Sequence, residues 1–291
     1  MDANPSRLNA RGYIESLASR GRYQFGSEEA RKALGVSEAA AKLALNRLAR
    51  RGLIASPARG FYVIVLPEYH RLGCLPAEQF IPSLMQRQGL DYYAGLLSAA
   101  QFYGAAHQRP QEFQVMLAKA RRPIHCGQIR VVFHVRKRLK DVPVQTLNTP
   151  RGTILVSAPE ATALDLVGYQ EQVGGLDVVA TVLAELAEKI DPEKLATVAQ
   201  TAPLPWAQRL GYLLQKVGFA EKTTALKDYV RRHARQSAAL LPGAPVKDAP
   251  HRVARKGNAV VIRAKCKHLA KNAQRDVAWK VIVNADVEAE L

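Results

Sequence analysis

Residue types that carry catalysis are present in this 291-residue sequence, but not in reactive arrangements. Nuclease chemistry needs clustered carboxylates to hold Mg²⁺, and residues 71–150 offer only Glu78, Asp91, Glu112 and Asp141, well scattered. A metal site built on His125-Cys126 with His134 or His107 is not expected, because adjacent side chains in β-type sequence point to opposite faces. Ser98 and Ser157 lie in no nucleophile-elbow context, and no glycine-rich phosphate loop is present. Glu160 reads as a helix cap and Asp165 as a helix-surface charge. No catalytic residue, metal or cofactor is therefore expected. Cys74, Cys126 and Cys266 are odd in number, far apart and without C-x-x-C spacing, which argues against a disulfide framework or zinc ribbon and fits a reducing cytoplasm.

The chemistry that the spacing does support is polyanion binding. The net charge is +17, and such an excess attracts nucleic acid through long-range fields and counterion release. It is segmental: positive over negative residues exceed by 5 in 1–70, by 7 in 71–150, by 0 in 151–240 and by 5 in 241–291. A solvated, solubility-promoting surface is the blander reading. From Ser27 to Ile54 the sequence has the layout of helix, glycine turn at Gly35 and second helix, with Ser27 and Ser37 as N-caps and Gly52 as the stop. On the second helix Ala41, Leu45 and Leu48 form the packing face, and the opposite arc carries Ala39, Lys42, Leu43, Asn46, Arg47 and Arg50. A major-groove helix needs that mixture: a small residue for close approach, an amide for adenine, guanidinium for guanine or phosphate. The next segment reads as a hairpin with Arg59-Gly60 at its tip, a wing able to reach the minor groove or a phosphate. Further on, Lys119, Arg121 and Arg122, then Arg136, Lys137, Arg138 and Lys140, each follow an expected strand and are placed on one basic surface of the C-terminal domain; Arg263, Lys265, Lys267, Lys271 and Arg275 extend it.

The elements that must position these residues indicate an α+β chain. Residues 1–73 read as a winged helix-turn-helix and 74–291 as a larger mixed α/β domain. Within it a helix is expected over Tyr92–Phe102, strands over Phe113–Leu117, Ile129–Val135 and Thr153–Val156, and a capping-box helix from Ser157. Helices follow at Leu176–Lys189, 192–200, Trp206–Val217 and Lys222–His233. Residues 242–258 read as a proline-rich loop, followed by strands Ala259–Ala264 and Val277–Val283 that are expected to add to the middle sheet. No leader or membrane-spanning run is apparent, so a bacterial cytoplasmic location without membrane contact is expected.

In order along the chain, the winged helix, Tyr92-Tyr93-Ala-Gly-Leu-Leu-Ser98, His107-Gln108-Arg-Pro110, Ser157-Ala-Pro159-Glu160 leading to Leu164-Asp165, and Trp279 to Asn284 resemble the AbiEi family, antitoxins of type IV toxin–antitoxin systems linked to abortive phage infection. The resemblance implies repression of a shared promoter at inverted repeats in double-stranded operator DNA by the N-terminal domain. It also implies that the C-terminal domain counteracts an AbiEii-type nucleotidyltransferase toxin without a stable complex. The residues alone leave two alternatives open: a stand-alone winged-helix regulator with a ligand-binding or self-association domain, and a nucleic-acid-processing enzyme with a targeting domain.

Overall fold

The computed structural model describes residues 9–105, 111–243 and 274–289. Helix α1 (Ala10–Ser19) opens at Asn9, whose side chain accepts the Gly12 N–H at 2.8 Å and so satisfies a first-turn donor. Strand β1 (Gln24–Gly26), helices α2 (Ser27–Leu34) and α3 (Glu38–Arg50), and the hairpin of β2 (Ile54–Ala58) and β3 (Phe61–Ile64) follow. The three strands pair antiparallel in the order β1-β3-β2. Tyr13, Ile14, Leu17, Phe25, Leu34, Leu45, Leu48, Ile54 and Ile64 close a core among these elements. Ser27 is the first helical residue rather than the cap: Gly26 caps α2, and the Ser27 N–H is spent on the Gly60 carbonyl at 3.0 Å.

Helix α4 (Ala77–Gln88) and strands β4 (Tyr92–Ala94), β5 (Phe113–Leu117), β6 (Ile124–Cys126), β7 (Ile129–Val135), β8 (Val144–Thr149) and β9 (Gly152–Ser157) come next, with α5 (Leu96–Phe102) between β4 and β5. The sheet order is β6-β7-β5-β4-β9-β8. β5 and β7 run parallel, from Phe113 opposite Val131 to Leu117 opposite Val135. The expected helix over Tyr92–Phe102 is interrupted: Gly95 adopts extended geometry, Leu96 takes φ +55, and the residues before them join the sheet.

Contacts divide the chain into two units, residues 1–94, 110–140 and 145–156 in one, 95–109, 141–144 and 157–291 in the other. The division expected at 73/74 falls inside the first unit. There, Phe61, Val63 and Val65 share one buried core with Phe80, Ile81, Leu84 and Met85 of α4 and with Val115, Leu117, Val131 and Phe133 of the larger sheet.

The second unit holds α5, α6 (Pro159–Gly168), α7 (Leu176–Leu186), α8 (Pro192–Ala199), α9 (Leu204–Lys216) and α10 (Thr224–His233). Residues 159–167 of α6 are all buried, as in a helix surrounded by others. That placement removes the expected capping box and surface charge. The Ser157 hydroxyl pairs with Thr162 Oγ1 at 2.7 Å, and Glu160 accepts the Asp191 N–H at 2.9 Å; Asp165 is fully buried. The N-cap of α6 is Ala158, which has no side-chain cap bond, while Asp191 caps α8 by accepting from Glu193 and Lys194.

The chain ends in a small sheet of β10 (Ala238–Ala239), β11 (Gln274–Asp276) and β12 (Val281–Val283), ordered β10-β12-β11. The expected strand over Val277–Val283 is instead a turn followed by β12, with Asp276 Oδ1 accepting the Trp279 N–H and Lys280 at φ +51. Nor does it extend the six-stranded sheet. Trp279 is fully buried beside Gly211 of α9, its indole N–H donates to Gln215, and the Gln208 amide donates to the carbonyls of Gln236, Trp279 and Lys280. Strand 259–264, most of loop 242–258, and Arg263, Lys265, Lys267 and Lys271 lie outside the described residues. Among the described residues no helix is long and apolar enough to cross a membrane.

Candidate nucleic-acid interface

Helix α3 owes its position to its two ends and one face. Gly35, at φ +61, closes α2 in the left-handed conformation that glycine adopts without a Cβ penalty. The Ser37 hydroxyl then accepts the Ala40 N–H at 3.3 Å. Ala41, Leu45 and Leu48 are buried, with Leu45 and Leu48 in the core shared with α1 and β2. The opposite face is thereby presented outward: Ala39, Lys42, Leu43, Asn46, Arg47 and Arg50 are all exposed, as is the cap Ser37. Leu43 is 57% exposed, an apolar side chain flanked by cations.

Charge pairing separates this face from its neighbours. Arg11 of α1 pairs with Glu15 at 2.9 Å, Arg31 of α2 with Glu28 at 2.6 Å, and Arg22 with Glu29 at 2.8 Å. Among the described residues no ion pair engages Lys42, Arg47, Arg50 or Arg59. Cations of the other two helices are internally compensated, while those of α3 keep their field for an external anion. Arg51, exposed beside Arg50, joins this group. It was not singled out from sequence because it follows the helical repeat; its adjacency to Arg50 was the available signal.

The expected wing is a two-residue turn, Arg59-Gly60, between β2 and β3. Gly60 has φ +70, and its carbonyl holds Ser27 at the start of α2. Ser56 Oγ donates to the Ala58 and Phe61 carbonyls at 3.0 and 3.1 Å across the irregular register of the hairpin. Arg59 projects from this braced tip and is exposed.

The second basic group is partly as expected. Because Leu117 lies opposite Val135 in parallel strands, the segments after β5 and β7 leave the sheet at the same end, with the Arg136 N–H donating to the Leu117 carbonyl at 2.8 Å. Lys119, Arg122, Lys137 and Arg138 are exposed there. Arg136 is not a surface cation: it is 3% exposed and its guanidinium donates to the Lys137 carbonyl. Arg121 lies over the Phe133 ring at 4.9 Å and donates to Gln88, its pKa lowered by burial. Lys140 pairs with Asp91 at 3.2 Å. By contacts these residues belong to the unit that carries the winged helix, not to the helical unit.

His125 and Cys126 face opposite sides of β6, one exposed and one buried. Among the described residues no group of three or more His, Cys, Asp or Glu side chains could hold a metal ion.

Family comparison matches residues 13–65 to a family described as a transcriptional regulator, AbiEi antitoxin, and residues 93–216 to the AbiEi antitoxin C-terminal domain. No curated protein matches significantly. Among solved structures, protein RV2827C from Mycobacterium tuberculosis is similar over 97% of this chain and 95% of that one, with a TM-score of 0.61 and 16% identity, a likeness of fold. An antigenic nucleotidyltransferase-like protein from Paracoccidioides brasiliensis matches at a TM-score of 0.34 and 12% identity, over 52% of this chain and 90% of that one.

Proposed function

We propose, from the premise that this chain belongs to the AbiEi antitoxin family, that it represses its own operon by seating α3 in the major groove of operator DNA. The observation that carries this reading is the uncompensated, exposed face of α3 beside helices whose cations are paired. In this reading Ala39 lets the backbone approach, Asn46 reads adenine, Arg47 reads guanine, and Leu43 meets a thymine methyl. Ser37, Lys42 and Arg50 contact phosphates, and Arg59 enters the adjoining minor groove or meets its backbone. The operator is double-stranded DNA with inverted repeats, one half-site per α3.

The second task, opposing an AbiEii-type nucleotidyltransferase toxin without holding it in a stable complex, is assigned to residues 74–291. Lys119, Arg122, Lys137 and Arg138 form the basic surface available to that task or to a longer DNA footprint. The test is promoter repression and growth rescue from the neighbouring toxin, measured in parallel for wild type and Arg47→Ala. Lost repression with retained rescue supports two separable tasks. Rescue absent from wild type, with repression intact, reduces the protein to a plain winged-helix regulator.

A further inference from the structure

We propose that Cys74 and Cys126 are a disulfide-forming site: a pair of thiols that the first unit holds in contact and that a hydroperoxide converts to a cystine. The inference is independent of the reading of α3. In sequence the two are 52 positions apart without a redox motif, and both are free thiols here. In the fold they share one core cluster, Cys74 with no exposure and Cys126 at 7%. The Cys74 and Cys126 thiols are hydrogen-bonded to one another, and the Ser56 N–H of β2 donates to the Cys126 sulfur.

The flanking backbones also touch. Gly73 and Gly127 take φ +66 and +58, and a Cβ added to Gly127 would collide with the Leu72 carbonyl and lie 3.0 Å from the Gly73 Cα. The Gln128 N–H donates to the Leu72 carbonyl at 2.7 Å. A disulfide needs Cα atoms within about 7 Å, and the contact of the flanking backbones brings the two cysteine-bearing segments together. A free cysteine packs as a small hydrophobe, so burial alone does not call for a thiol at either position.

The two sulfurs divide the work. Each sulfur accepts a backbone N–H, Cys74 from Leu75 and Cys126 from Ser56, but Cys126 alone has residual exposure, so it is the sulfur that a peroxide reaches. Cys126 is thus the attacking thiolate. It breaks the O–O bond of hydrogen peroxide, taking one oxygen as sulfenic acid and releasing hydroxide, which is protonated to water. The Cys74 sulfur then displaces the hydroxyl from Cys126, and its proton leaves with that group as a second water. Two thiols and one peroxide give one disulfide and two waters. Because Ser56 belongs to β2, the reaction changes the acceptor of a wing-strand amide.

The experiment uses the full chain carrying Cys266→Ser, so that the pair holds the remaining thiols. The folded protein is treated with hydrogen peroxide, alkylated and digested without reductant. The expected result is a cross-linked peptide joining Cys74 to Cys126, reversed by a phosphine reductant, together with a shifted Ser56 amide resonance. Adding Cys74→Ser is expected to leave Cys126 trappable as sulfenic acid by a dione. Two thiols that stay alkylatable after peroxide treatment, with no cross-linked peptide, would overturn the proposal and leave the pair as core packing.

Discussion

Cutting the chain between residues 73 and 74 should abolish folding of the remaining first-unit core rather than release a functional antitoxin domain. Phe61, Val63 and Val65 are 3%, 0% and 4% exposed and lie in one core with α4 and the six-stranded sheet. Burying a side chain of this size contributes about 1.5–3 kcal/mol, so the cut forfeits roughly 5–9 kcal/mol, against total domain stabilities of about 5–15 kcal/mol. Polar ties go with it: Gln24 donates to the Gln79 carbonyl at 2.7 Å, Arg151 pairs with Glu68 at 2.8 Å, and the Arg151 guanidinium lies over the Tyr23 ring. The assay is far-UV circular dichroism melting and size exclusion of residues 74–291, with toxin rescue beside full-length Arg47→Ala. The expected outcome is a truncated protein that aggregates and fails to rescue, while the full-length variant melts like wild type and rescues. A monomeric 74–291 that unfolds cooperatively and rescues growth would refute the shared-core argument.

Arg47→Ala should weaken binding to the operator by about 1–3 kcal/mol with little change on unrelated DNA, whereas Arg50→Ala should lower affinity for both and reduce the salt slope by about one phosphate contact; fluorescence anisotropy across a salt series distinguishes the two. Trp279→Ala removes a fully buried indole and its bond to Gln215, and should cost about 3–5 kcal/mol in urea unfolding; a cost below about 1 kcal/mol would mean that the C-terminal sheet does not support α9. Burial raises Tyr13 and Tyr92 from 10.0 to about 12, and Tyr103 further still. The native state therefore holds protons that the unfolded chain releases, so this stabilisation is complete below pH 10 and is lost as pH rises toward about 12; tyrosinate absorbance should show a late phase coincident with unfolding.

The winged helix-turn-helix was legible because its determinants are local. Gly35, Ser37 and the spacing of Ala41, Leu45 and Leu48 fix the ends and face of α3 without reference to the rest of the chain. The strands Phe113–Leu117 and Ile129–Val135 were legible for their β-branched and aromatic runs. What escaped is set by distant partners. Pro76 and Pro82 disguised α4, because a proline inside a helix lacks the N–H of a ladder bond and reads as a breaker. β1 and β6 have three residues each, too few for a period to register. Arg136 and Asp165 read as surface charges because charge is a property of sequence, whereas their burial comes from the fold, which gives the Arg136 guanidinium the Lys137 carbonyl as acceptor and encloses Asp165 completely. The contact of Cys74 with Cys126 has no sequence signature, since it depends on two loops meeting at glycines.

The bracing of the wing bears on how sequence is chosen. A long, loose wing adapts to whatever groove it meets and surrenders conformational freedom of about 1–2 kcal/mol per residue in doing so. Here the tip is two residues long and its carbonyl is bonded to the first residue of α2, so part of that freedom is already removed before any encounter. The separation between Arg59 and the face of α3 is then a fixed calliper. Under the proposed seating of α3, DNA must conform to it, and base steps that never touch the protein enter selection through their stiffness and groove width. Lengthening the turn by glycines would relax the calliper, and the loss should appear as tolerance of substitutions at uncontacted operator positions.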